Sequence, residues 1–317
     1  MPKKICVIGG TGFIGSHLVF KLANRGYQVL IPSRRRERHR QFLVHDNIKL
    51  VEANPNDVNN LQRLFDDTDT VINLVGILNE TCGATFPAAH VELTQRILSA
   101  MRNKGVSRLL HMSALNADAT LKQGKYLRTK GEAENLVMAA KHIQATVFRP
   151  SVVFGRGDSF FNRFASLLRI TPRFFPLACA NARFAPVSVN NVVDAFIYAL
   201  EHDESIGQRY DLCGPKSYIL SELVEYTASQ IDVKTRLWKL TDFMSRVQAF
   251  SLGLIPGKPF SMDNYYSLQI DSVCEHSALV AMGISLQSIE SIVPGYLGAQ
   301  DTNARYQRFR QQSRREE

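Results

Sequence analysis

A glycine-rich turn near the start of the printed sequence constrains this chain more than any other stretch. Gly9, Gly12 and Gly15 follow an apolar run at 5–8 and precede a segment with apolar residues at helical spacing as far as Leu22. This pattern predicts a buried strand, a turn and a helix. In such a unit the glycines permit the tight turn, the approach of a diphosphate to backbone N–H groups, and close helix–strand packing. We therefore predict a nucleotide site at the helix N-terminus, the alternative being a plain connecting turn.

Strand and helix patterns alternate through the first half of the chain. Further strands are predicted at Gln28–Ser33, Ile48–Glu52, 70–75, Arg108–Met112 and 145–148, with helices through 61–65, 88–104 and 126–140 between them. Short joins between alternating elements are typical of a parallel sheet with helices on both faces. The predicted fold class is therefore α/β, a Rossmann doubly wound parallel sheet with a smaller, mostly helical C-terminal lobe.

The regular alternation of predicted strands and helices ends after residue 150, and prolines at 172, 176 and 186 interrupt it. A short strand and helix resume at 187–200, and 210–213 is predicted as one more strand. We expect residues 1–170 to form the nucleotide-binding domain, with 187–213 returning to it, and 171–186 with 214–300 to form the smaller lobe. Residues 301–317 are polar and rich in arginine, which predicts a basic tail that is disordered or ordered by a partner.

Composition and charge limit which cellular compartments and which classes of partner are expected for this chain. The net charge is +9, but aromatic residues do not interleave with the arginines, so no nucleic-acid partner is expected. Anionic lipid or an acidic protein surface remains open. No window approaches the ~20 apolar residues of a membrane span, and no secretory apolar region precedes the first strand. We expect a cytoplasmic protein, with peripheral attachment to the inner face of a membrane as a further option.

The five cysteines predict free thiols. They are odd in number, scattered, and never in C-x-x-C spacing, at positions 6, 82, 179, 213 and 274. That pattern favours neither a disulfide framework nor a zinc site. No metal ligands are predicted, and His17, His90 and His111 are interpreted as structural or exposed.

The end of the second strand indicates which dinucleotide fits. NAD sites place an acidic residue there for the ribose hydroxyls, whereas NADP sites carry cations for the 2′-phosphate. Here the strand ends Pro32-Ser33-Arg34-Arg35, without Asp or Glu. Because arginine holds phosphate bidentately, NADP(H) is predicted over NAD(H). The alternative is a solvated basic turn, which is the interpretation for the arginines at 36, 38 and 40.

Tyr126 and Lys130 form the candidate acid/base pair. They stand four residues apart in a predicted helix, so both project from one face. A neighbouring ammonium favours the phenolate of a tyrosine, whose unperturbed pKa is near ~10. A phenol tuned in this way moves a proton while a nicotinamide moves a hydride. A chance surface pair is the alternative.

These motifs together resemble the short-chain dehydrogenase/reductase family in its extended or atypical form. The matching stretches are the glycine loop, Asn73-Leu74-Val75-Gly76, Tyr126-Leu127-Arg128-Thr129-Lys130 and Arg149-Pro150-Ser151-Val152-Val153-Phe154-Gly155. Within the family, the chain is most similar to the branch related to the NADPH-binding accessory subunit of respiratory complex I. That similarity covers about residues 4–295 and includes Gly155-Arg156-Gly157-Asp158-Ser159-Phe160-Phe161-Asn162.

The resemblance implies a role for each matching residue. The diphosphate is lined by Gly9, Thr11, Gly12, Phe13 and Ile14, with Gly15 in the same loop. Arg34 and Arg35, which follow Ser33, bind the 2′-phosphate. Asp57 contacts the adenine edge, and Asn54 is the alternative residue for that contact. The ribose and nicotinamide side is flanked by Leu74, Val75 and Gly76. Lys130 hydrogen-bonds the nicotinamide ribose, and Pro150, Ser151, Val152 and Val153 lie near the carboxamide.

Catalytic family members add a serine or threonine that polarises the substrate oxygen, and Ser113 is the candidate here. The chain departs from the pattern because Ala114 follows and because only thirteen positions separate Ser113 from Tyr126. Three functions stay open. They are an NADP(H)-dependent oxidoreductase acting on a carbonyl or hydroxyl of a hydrophobic, quinone-like substrate; a non-catalytic NADPH-holding accessory protein of a respiratory or membrane complex; and a nucleotide-sugar epimerase or dehydratase.

A stretch near residue 240 combines apolar and basic residues. Its apolar members are Leu237, Trp238, Leu240, Phe243, Met244, Val247 and Phe250, and its cations are Lys234, Arg236, Lys239 and Arg246. One interpretation is a helix face packed in the core. The other is a basic amphipathic helix that lies on a membrane or over a lipophilic substrate.

Overall fold

The computed structural model describes residues 3–81, 83–171, 173–255 and 258–297. The predicted basic tail and Cys82 lie outside these ranges. The strands are β1 Lys4–Ile8, β2 Gln28–Ser33, β3 Ile48–Glu52, β4 Thr70–Asn73, β5 Arg108–Met112, β6 Gln144–Pro150, β7 Val153–Phe154, β8 Phe174–Leu177, β9 Arg183–Phe184, β10 Val187–Ser188, β11 Arg209–Leu212, β12 Tyr218–Ile219 and β13 Arg236–Lys239.

The α-helices are α1 Phe13–Asn24, α2 Val58–Phe65, α3 Leu93–Lys104, α4 Lys125–Ala139, α5 Phe160–Ile170, α6 Val189–Glu201, α7 Leu220–Gln230, α8 Asp242–Gly253, α9 Met262–Ser267, α10 Ala278–Ala281, α11 Ile289–Ile292 and α12 Pro294–Leu297. A π-helical turn at Pro87–Glu92 precedes α3, and 3-10 turns occupy Arg36–Val44 and Asp203–Ser205. Within the described ranges, no helix is both long enough and apolar enough to cross a membrane.

Seven strands form one parallel sheet in the order β3-β2-β1-β4-β5-β6-β11. The chain winds outward from β1 in one direction through β2 and β3, and in the other through β4, β5 and β6. This reversal opens a crevice at the carboxyl ends of β1 and β4, where ligands of such sheets bind. The predicted Rossmann fold class is confirmed.

Both faces of the sheet are buried. Side chains alternate along β1, so Ile5 and Val7 join one core with α1 and α6, while Cys6 and Ile8 join another with α2 and α3. All four are fully buried, which explains the continuous apolar run at 5–8. The helices therefore hold β1 rigidly from both sides and position the glycine loop that follows it.

A separate hydrophobic cluster forms the core of the smaller lobe. It combines the buried sides of α5 and α7 with β8, β9, α11 and α12. The three two-stranded pairs β7–β10, β9–β12 and β8–β13 lie beyond the main sheet. The predicted boundary at 170/171 stays a prediction, although α5 contributes Phe161, Ala165 and Leu168 to this second cluster.

The stretch near residue 240 is not one helix. Residues Arg236–Lys239 pair with β8 as strand β13, and α8 begins only at Asp242, where the Thr241 hydroxyl accepts a hydrogen bond from the Met244 N–H at 3.4 Å. The interpretation as core packing is wrong for four of its apolar residues, because Trp238, Phe243, Val247 and Phe250 are each more than half exposed. The cap at Thr241 and the pairing with β8 divide what the residue spacing presents as continuous.

The expectation of free thiols is wrong for one pair of cysteines. Cys213, directly after β11, is disulfide-bonded to Cys274, 61 residues later, with a Cα–Cα distance of 6.1 Å. Such a distance lies in the usual range for a bridge. Spacing in the sequence carried no signal because the fold alone brings these residues together. Cys6 and Cys179 are free.

Candidate nucleotide and active site

The glycine loop makes a turn that other residues would disturb. Gly9 has a φ of +85°, a backbone conformation that side chains disfavour. A Cβ atom at Gly15 would collide with the Gly9 carbonyl oxygen and would lie 2.7 Å from the Gly10 Cα. Gly15 therefore lets α1 pack directly against the turn that leaves β1.

Helix α1 presents free donors at its N-terminus. Gly12 is the N-cap residue and has no side chain to cap the helix, and the first intrahelical bond runs from the Ser16 N–H to the Gly12 carbonyl at 2.9 Å. The N–H groups of Phe13, Ile14 and Gly15 consequently have no acceptor within the helix. A bare turn with unpaired donors at the positive end of a helix fits a diphosphate.

Two arginines follow β2, the neighbour of β1 in the sheet. Arg34 and Arg35 are exposed, and neither guanidinium forms an ion pair with any residue that the structure describes. Ser33 is buried, and its hydroxyl accepts a hydrogen bond from the Arg35 N–H at 3.3 Å, which fixes the backbone at this point. The position has no carboxylate, so the site carries free positive charge where a ribose 2′ substituent would lie.

The two candidates for the adenine edge are both engaged locally. The Asp57 carboxylate caps α2 by accepting a hydrogen bond from the Asn59 N–H at 2.9 Å. The Asn54 side-chain oxygen accepts one from the Asn56 N–H at 3.1 Å. Both side chains are exposed at the carboxyl end of β3, and a role for either in binding adenine stays a prediction.

Lys130 ties together the ends of β4 and β5. Its ammonium donates to the Met112 carbonyl at 3.0 Å and to the Val75 carbonyl at 3.4 Å. A Cβ atom at Gly76 would lie 3.1 Å from its Nζ, so glycine there leaves room for the ammonium. Burial lowers the pKa of Lys130 to about 8. The predicted ribose-binding lysine thus lies beside Leu74, Val75 and Gly76, and two of its three N–H donors are bonded to backbone carbonyls.

Tyr126 lies in the first turn of α4, one helical turn before Lys130. Its backbone N–H donates to the Asp263 carboxylate at 3.1 Å, and its ring packs edge-on against Phe86 and His90 with centroid distances of 5.9 and 5.7 Å. Burial, and then the charge of Asp263, raise the pKa of Tyr126 to about 12. The lowering expected from Lys130 is therefore not observed, and the correction has a physical cause. The Asp263 carboxylate and burial both favour the neutral phenol.

Ser113 directly follows β5 and is shielded from solvent. Its side chain is buried, and its hydroxyl makes no well-formed hydrogen bond with any described residue. It does lie close to the Glu134 carboxylate. Burial alone raises the pKa of Glu134, but Arg149, Ser113 and Arg209 together lower it. The candidate for polarising a substrate thus faces the buried Glu134 carboxylate of α4, which is paired with Arg149 of β6.

A hydrogen-bonded chain through His90 supports the site, and sequence reasoning assigned it no role there. The His90 Nε2 accepts from the Ile77 N–H at 3.2 Å, so we assign the ring proton to Nδ1, which donates to the Thr129 hydroxyl at 2.8 Å. Thr129 in turn donates to the Lys125 carbonyl at 2.8 Å. Burial, and then the Lys130 charge, lower the pKa of His90 to about 2. The chain therefore joins the loop after β4 to α4 through a neutral histidine.

Asn73 and His111 form a second buried contact at the ends of β4 and β5. The Asn73 amide oxygen accepts from the Val75 N–H at 3.1 Å, and its amide nitrogen donates to the His111 Nδ1 at 3.3 Å. The His111 Nε2 is buried and has no partner among the described residues. Burial, and then Lys130, lower the pKa of His111 to about 3, so it is neutral. The only sequence pattern that pointed to this contact was Asn73 at the end of a predicted strand, followed by Leu-Val-Gly.

The segment predicted to lie near the carboxamide crosses towards the smaller lobe. The Ser151 hydroxyl donates to the Ser272 carbonyl at 2.7 Å, and its N–H bonds the Leu212 carbonyl at 2.9 Å. The Val152 carbonyl accepts from the Val187 N–H at 2.9 Å. Both the hydroxyl and the N–H of Ser151 are therefore used in hydrogen bonds within the protein, while Pro150, Val152 and Val153 are partly exposed.

A cavity of about 460 Å³ lies at the N-terminal end of α4. Its walls include Phe86 and Asp263, both of which contact Tyr126, and Phe250 and Leu254 from the region of α8. Lysines and an arginine also line it, at positions 122, 125, 128 and 258. The cavity is thus partly apolar, bordered by cations, and adjacent to the candidate acid/base residue. Among the described residues, no three His, Cys, Asp or Glu side chains converge as metal ligands.

Comparisons with known proteins identify relatives of this chain. A protein of Arabidopsis thaliana named NADH dehydrogenase (ubiquinone) 1 alpha subcomplex subunit 9, mitochondrial, is 29% identical over 296 residues, covering 88% of this chain and 73% of that protein. The protein of the same name from Rattus norvegicus is 32% identical over 236 residues, covering 69% of this chain. The chain spans 59% of the rat protein. The resemblance inferred from the motifs is confirmed.

A solved structure supports the fold. The dTDP-glucose 4,6-dehydratase DesIV of Streptomyces venezuelae, a double mutant with NAD bound, superposes with a TM-score of 0.71, covers 92% of this chain and 95% of its own, and is 15% identical. A likeness at this identity concerns the fold alone. The family model that matches residues 5–213 extends from β1 to the end of the main sheet. The chain therefore belongs to the NAD dependent epimerase/dehydratase family.

Proposed function

We propose that this protein binds NADP(H) at the glycine loop and keeps it as a resident cofactor. The observation that carries the proposal is the pair Arg34 and Arg35, which are exposed and unpaired within the described ranges, at a strand end without a carboxylate. A guanidinium binds phosphate through charge-assisted hydrogen bonds of about 1.5–3 kcal/mol each. The adjoining N–H groups of α1 suit the diphosphate.

The test is the identity of the nucleotide. The purified protein is denatured and the released nucleotide is identified by mass, and NADPH and NADH are then titrated by fluorescence. Replacing both arginines, Arg34→Ser with Arg35→Ser, should weaken NADPH binding by roughly 100-fold and leave NADH binding nearly unchanged. The matched control is Arg36→Ser with Arg38→Ser in the following 3-10 turn. Release of NAD, or equal losses for both nucleotides, would contradict the proposal and favour the epimerase or dehydratase alternative.

Three features favour holding the cofactor over turning it over. The Ser113 hydroxyl is buried near Glu134, the Lys130 ammonium is bonded to two carbonyl groups, and the pKa of Tyr126 is raised by burial and Asp263. The relatives named as a subunit of NADH dehydrogenase suggest a setting for such a role. We therefore propose that this chain is an accessory protein that carries NADPH in a respiratory or membrane assembly.

Association is tested on native membranes. Solubilised membranes from the source cells are separated on a non-denaturing gel, and the protein is detected alongside NADH dehydrogenase activity. We expect comigration in the wild type and loss of the protein from that band after Gly15→Trp, which blocks the turn that holds the cofactor. If the protein migrates separately from NADH dehydrogenase activity in every preparation, the accessory role is contradicted, whereas the proposal of NADP(H) binding is not.

A second candidate is an NADP(H)-dependent oxidoreductase, favoured by the cavity beside Tyr126. Its apolar wall and bordering cations suit a hydrophobic carbonyl compound such as a quinone. NADPH, when bound, would supply a hydride to the carbonyl carbon of an aldehyde or ketone, or to one oxygen of a quinone. Tyr126 then donates its phenolic proton to the carbonyl oxygen, and solvent returns that proton to the phenolate. Burial and Asp263 keep this phenol protonated at physiological pH, as donation requires, but the raised pKa also makes it a weaker acid.

This candidate is tested by following NADPH oxidation with a short-chain ubiquinone and with an aromatic aldehyde. Tyr126→Phe should abolish turnover, a loss of at least roughly 100-fold, while leaving NADPH affinity nearly unchanged. Tyr266→Phe, which removes the hydroxyl of a tyrosine that lines the cavity, is the matched control. If the wild-type protein binds NADPH but neither carbonyl compound supports NADPH oxidation, the oxidoreductase candidate is contradicted and the cofactor-holding role remains.

A further inference from the structure

Helix α8 has two opposite sides with different surroundings. On one side Ser245 and Ala249 are buried, the Ser245 hydroxyl accepts from the Cys179 N–H at 3.4 Å, and the Gln248 amide donates to the Pro176 carbonyl at 3.1 Å. These contacts seat the helix on the segment that contains β8. The helix orientation is therefore fixed by the smaller lobe, and its other side faces outward.

The outward side carries a continuous apolar stripe. Phe243, Val247, Phe250 and Leu254 are 74%, 52%, 65% and 74% exposed. At about 100° per residue, these four positions fall within an arc of roughly 60°. Single exposed apolar residues need no explanation, but four large ones aligned along a helix mark an interaction surface.

Three more large apolar residues are exposed on or next to the strand that Gln248 of α8 contacts and on its partner strand. Phe174 on β8 and Trp238 on β13 are 65% and 57% exposed, and Ile170 at the end of α5 is 78% exposed. In the parallel pair, Phe174 lies opposite Arg236 and Pro176 lies opposite Trp238. Because side chains alternate along a strand, Phe174, Pro176, Arg236 and Trp238 share one exposed face of this pair. We call this surface, formed by the outward sides of α8, β8 and β13, the α8 face.

Cations border the α8 face. Arg169, Arg173, Lys234, Arg236 and Lys239 are exposed, and none of them forms an ion pair with any residue in the described ranges. The acidic residue of α8 itself, Asp242, is already paired with Arg246 at 3.0 Å. The border is therefore positive and unneutralised.

We propose that the α8 face docks the protein on an anionic phospholipid bilayer. A helix that lies in the membrane interface has large apolar side chains on one side and Lys or Arg at the borders, and tryptophan favours the same depth. Each basic residue near such a surface adds to the attraction. This inference is independent of the nucleotide proposal.

Docking would also bring the cavity to the lipid. Phe250 and Leu254 belong to the stripe and also line the cavity beside Tyr126. A lipophilic compound dissolved in the bilayer would reach the cavity past these two side chains without crossing water. The same helix would thereby serve as an anchor and as an entrance.

The test is co-sedimentation of the full chain with lipid vesicles. Vesicles of phosphatidylcholine alone are compared with vesicles that also contain phosphatidylglycerol, at low and high salt. We expect binding to the anionic vesicles at low salt, weakened by salt. Phe243→Ser with Val247→Ser should reduce the affinity by roughly tenfold or more. Arg236→Gln with Lys239→Gln should reduce it by roughly fivefold for each charge removed.

The matched control is Val44→Ser with Val280→Ser, which replaces two apolar residues that are 83% and 65% exposed outside the α8 face. It should bind vesicles as the wild type does. Circular dichroism and the thermal midpoint of each variant verify that the fold is kept. The proposal is overturned if folded wild type ignores anionic vesicles, or if the control loses binding equally. It is also overturned if size-exclusion chromatography shows a dimer that Phe243→Ser dissociates, because a second copy would then cover the face.

Discussion

Glu134 is the residue whose charge the structure makes most testable. Its carboxylate, on α4, accepts hydrogen bonds from the Arg149 Nε at 2.9 Å and the Arg209 Nε at 2.6 Å. Arg149 belongs to β6 and Arg209 to β11, so one carboxylate connects a helix with two neighbouring strands. The Glu134 side chain is 2% exposed, whereas the two arginines are 28% and 38% exposed. Glu134→Gln keeps the shape and removes the charge.

The cost of this change follows from the burial of the three groups. Removing one partner of a fully buried ion pair costs about 3–5 kcal/mol. Water reaches both arginines here and screens part of the interaction, so we expect a loss of about 3 kcal/mol in the free energy of unfolding. For a domain of this size, that corresponds to a fall of roughly 6 °C in the thermal midpoint.

The pH dependence identifies the charge as the cause. Because the pKa of Glu134 is lowered in the folded state from its usual 4.5, its ionised form contributes fully to stability above pH 4.5. That contribution is lost as the pH falls through the lowered value. The difference in thermal midpoint between wild type and Glu134→Gln should thus be constant from neutral pH down to about pH 5 and then shrink.

The assay is thermal unfolding followed by circular dichroism across this pH range. Glu132→Gln is the matched control, because Glu132 lies on the same helix, is 40% exposed, and is 3.6 Å from Arg128. Such a surface pair contributes less than about 1 kcal/mol. A midpoint for Glu134→Gln equal to that of Glu132→Gln, or a difference that does not shrink in acid, would refute the reasoning.

Two further predictions concern the nucleotide site. Gly15→Ala puts a Cβ atom against the Gly9 carbonyl and should cost about 1–3 kcal/mol, with a weakening of NADPH binding by more than roughly tenfold in a fluorescence titration. Between pH 8 and 10.5 the folded wild-type chain has lost the Lys130 proton, whereas the unfolded chain still holds it. The stability of the wild type should therefore rise with pH across this range. Lys130→Met should abolish that rise. The wild-type rise, up to about 3 kcal/mol, is measured as the shift of the urea midpoint with pH, and identical pH profiles would contradict it.

Sequence patterns predicted the main sheet well because its strands are buried on both faces. Gln28–Ser33, Ile48–Glu52 and Arg108–Met112 have the predicted bounds, and 210–213 does join the sheet as β11. In such strands, apolar composition and turn residues carry most of the information. The glycine loop was predictable for the same reason, since its spacing reflects local backbone geometry.

The site chemistry was less predictable because it depends on contacts between distant residues. The spacing of Tyr126 and Lys130 indicated one helix face correctly, but Asp263 reaches Tyr126 from 137 residues away and reverses the expected change in pKa. The buried contact of Asn73 with His111 likewise requires the register of β4 and β5. Residue types alone could not indicate these neighbours.

The bond between Cys213 and Cys274 makes a covalent ring of the chain between them. Helices α7, α8 and α9 all lie inside that ring, so a protease that cuts once within it does not release a fragment. The cut protein would run as one band on a denaturing gel without reductant and as two bands with it. The anchor proposed on α8 would therefore stay tied to the nucleotide-binding sheet after such a cut.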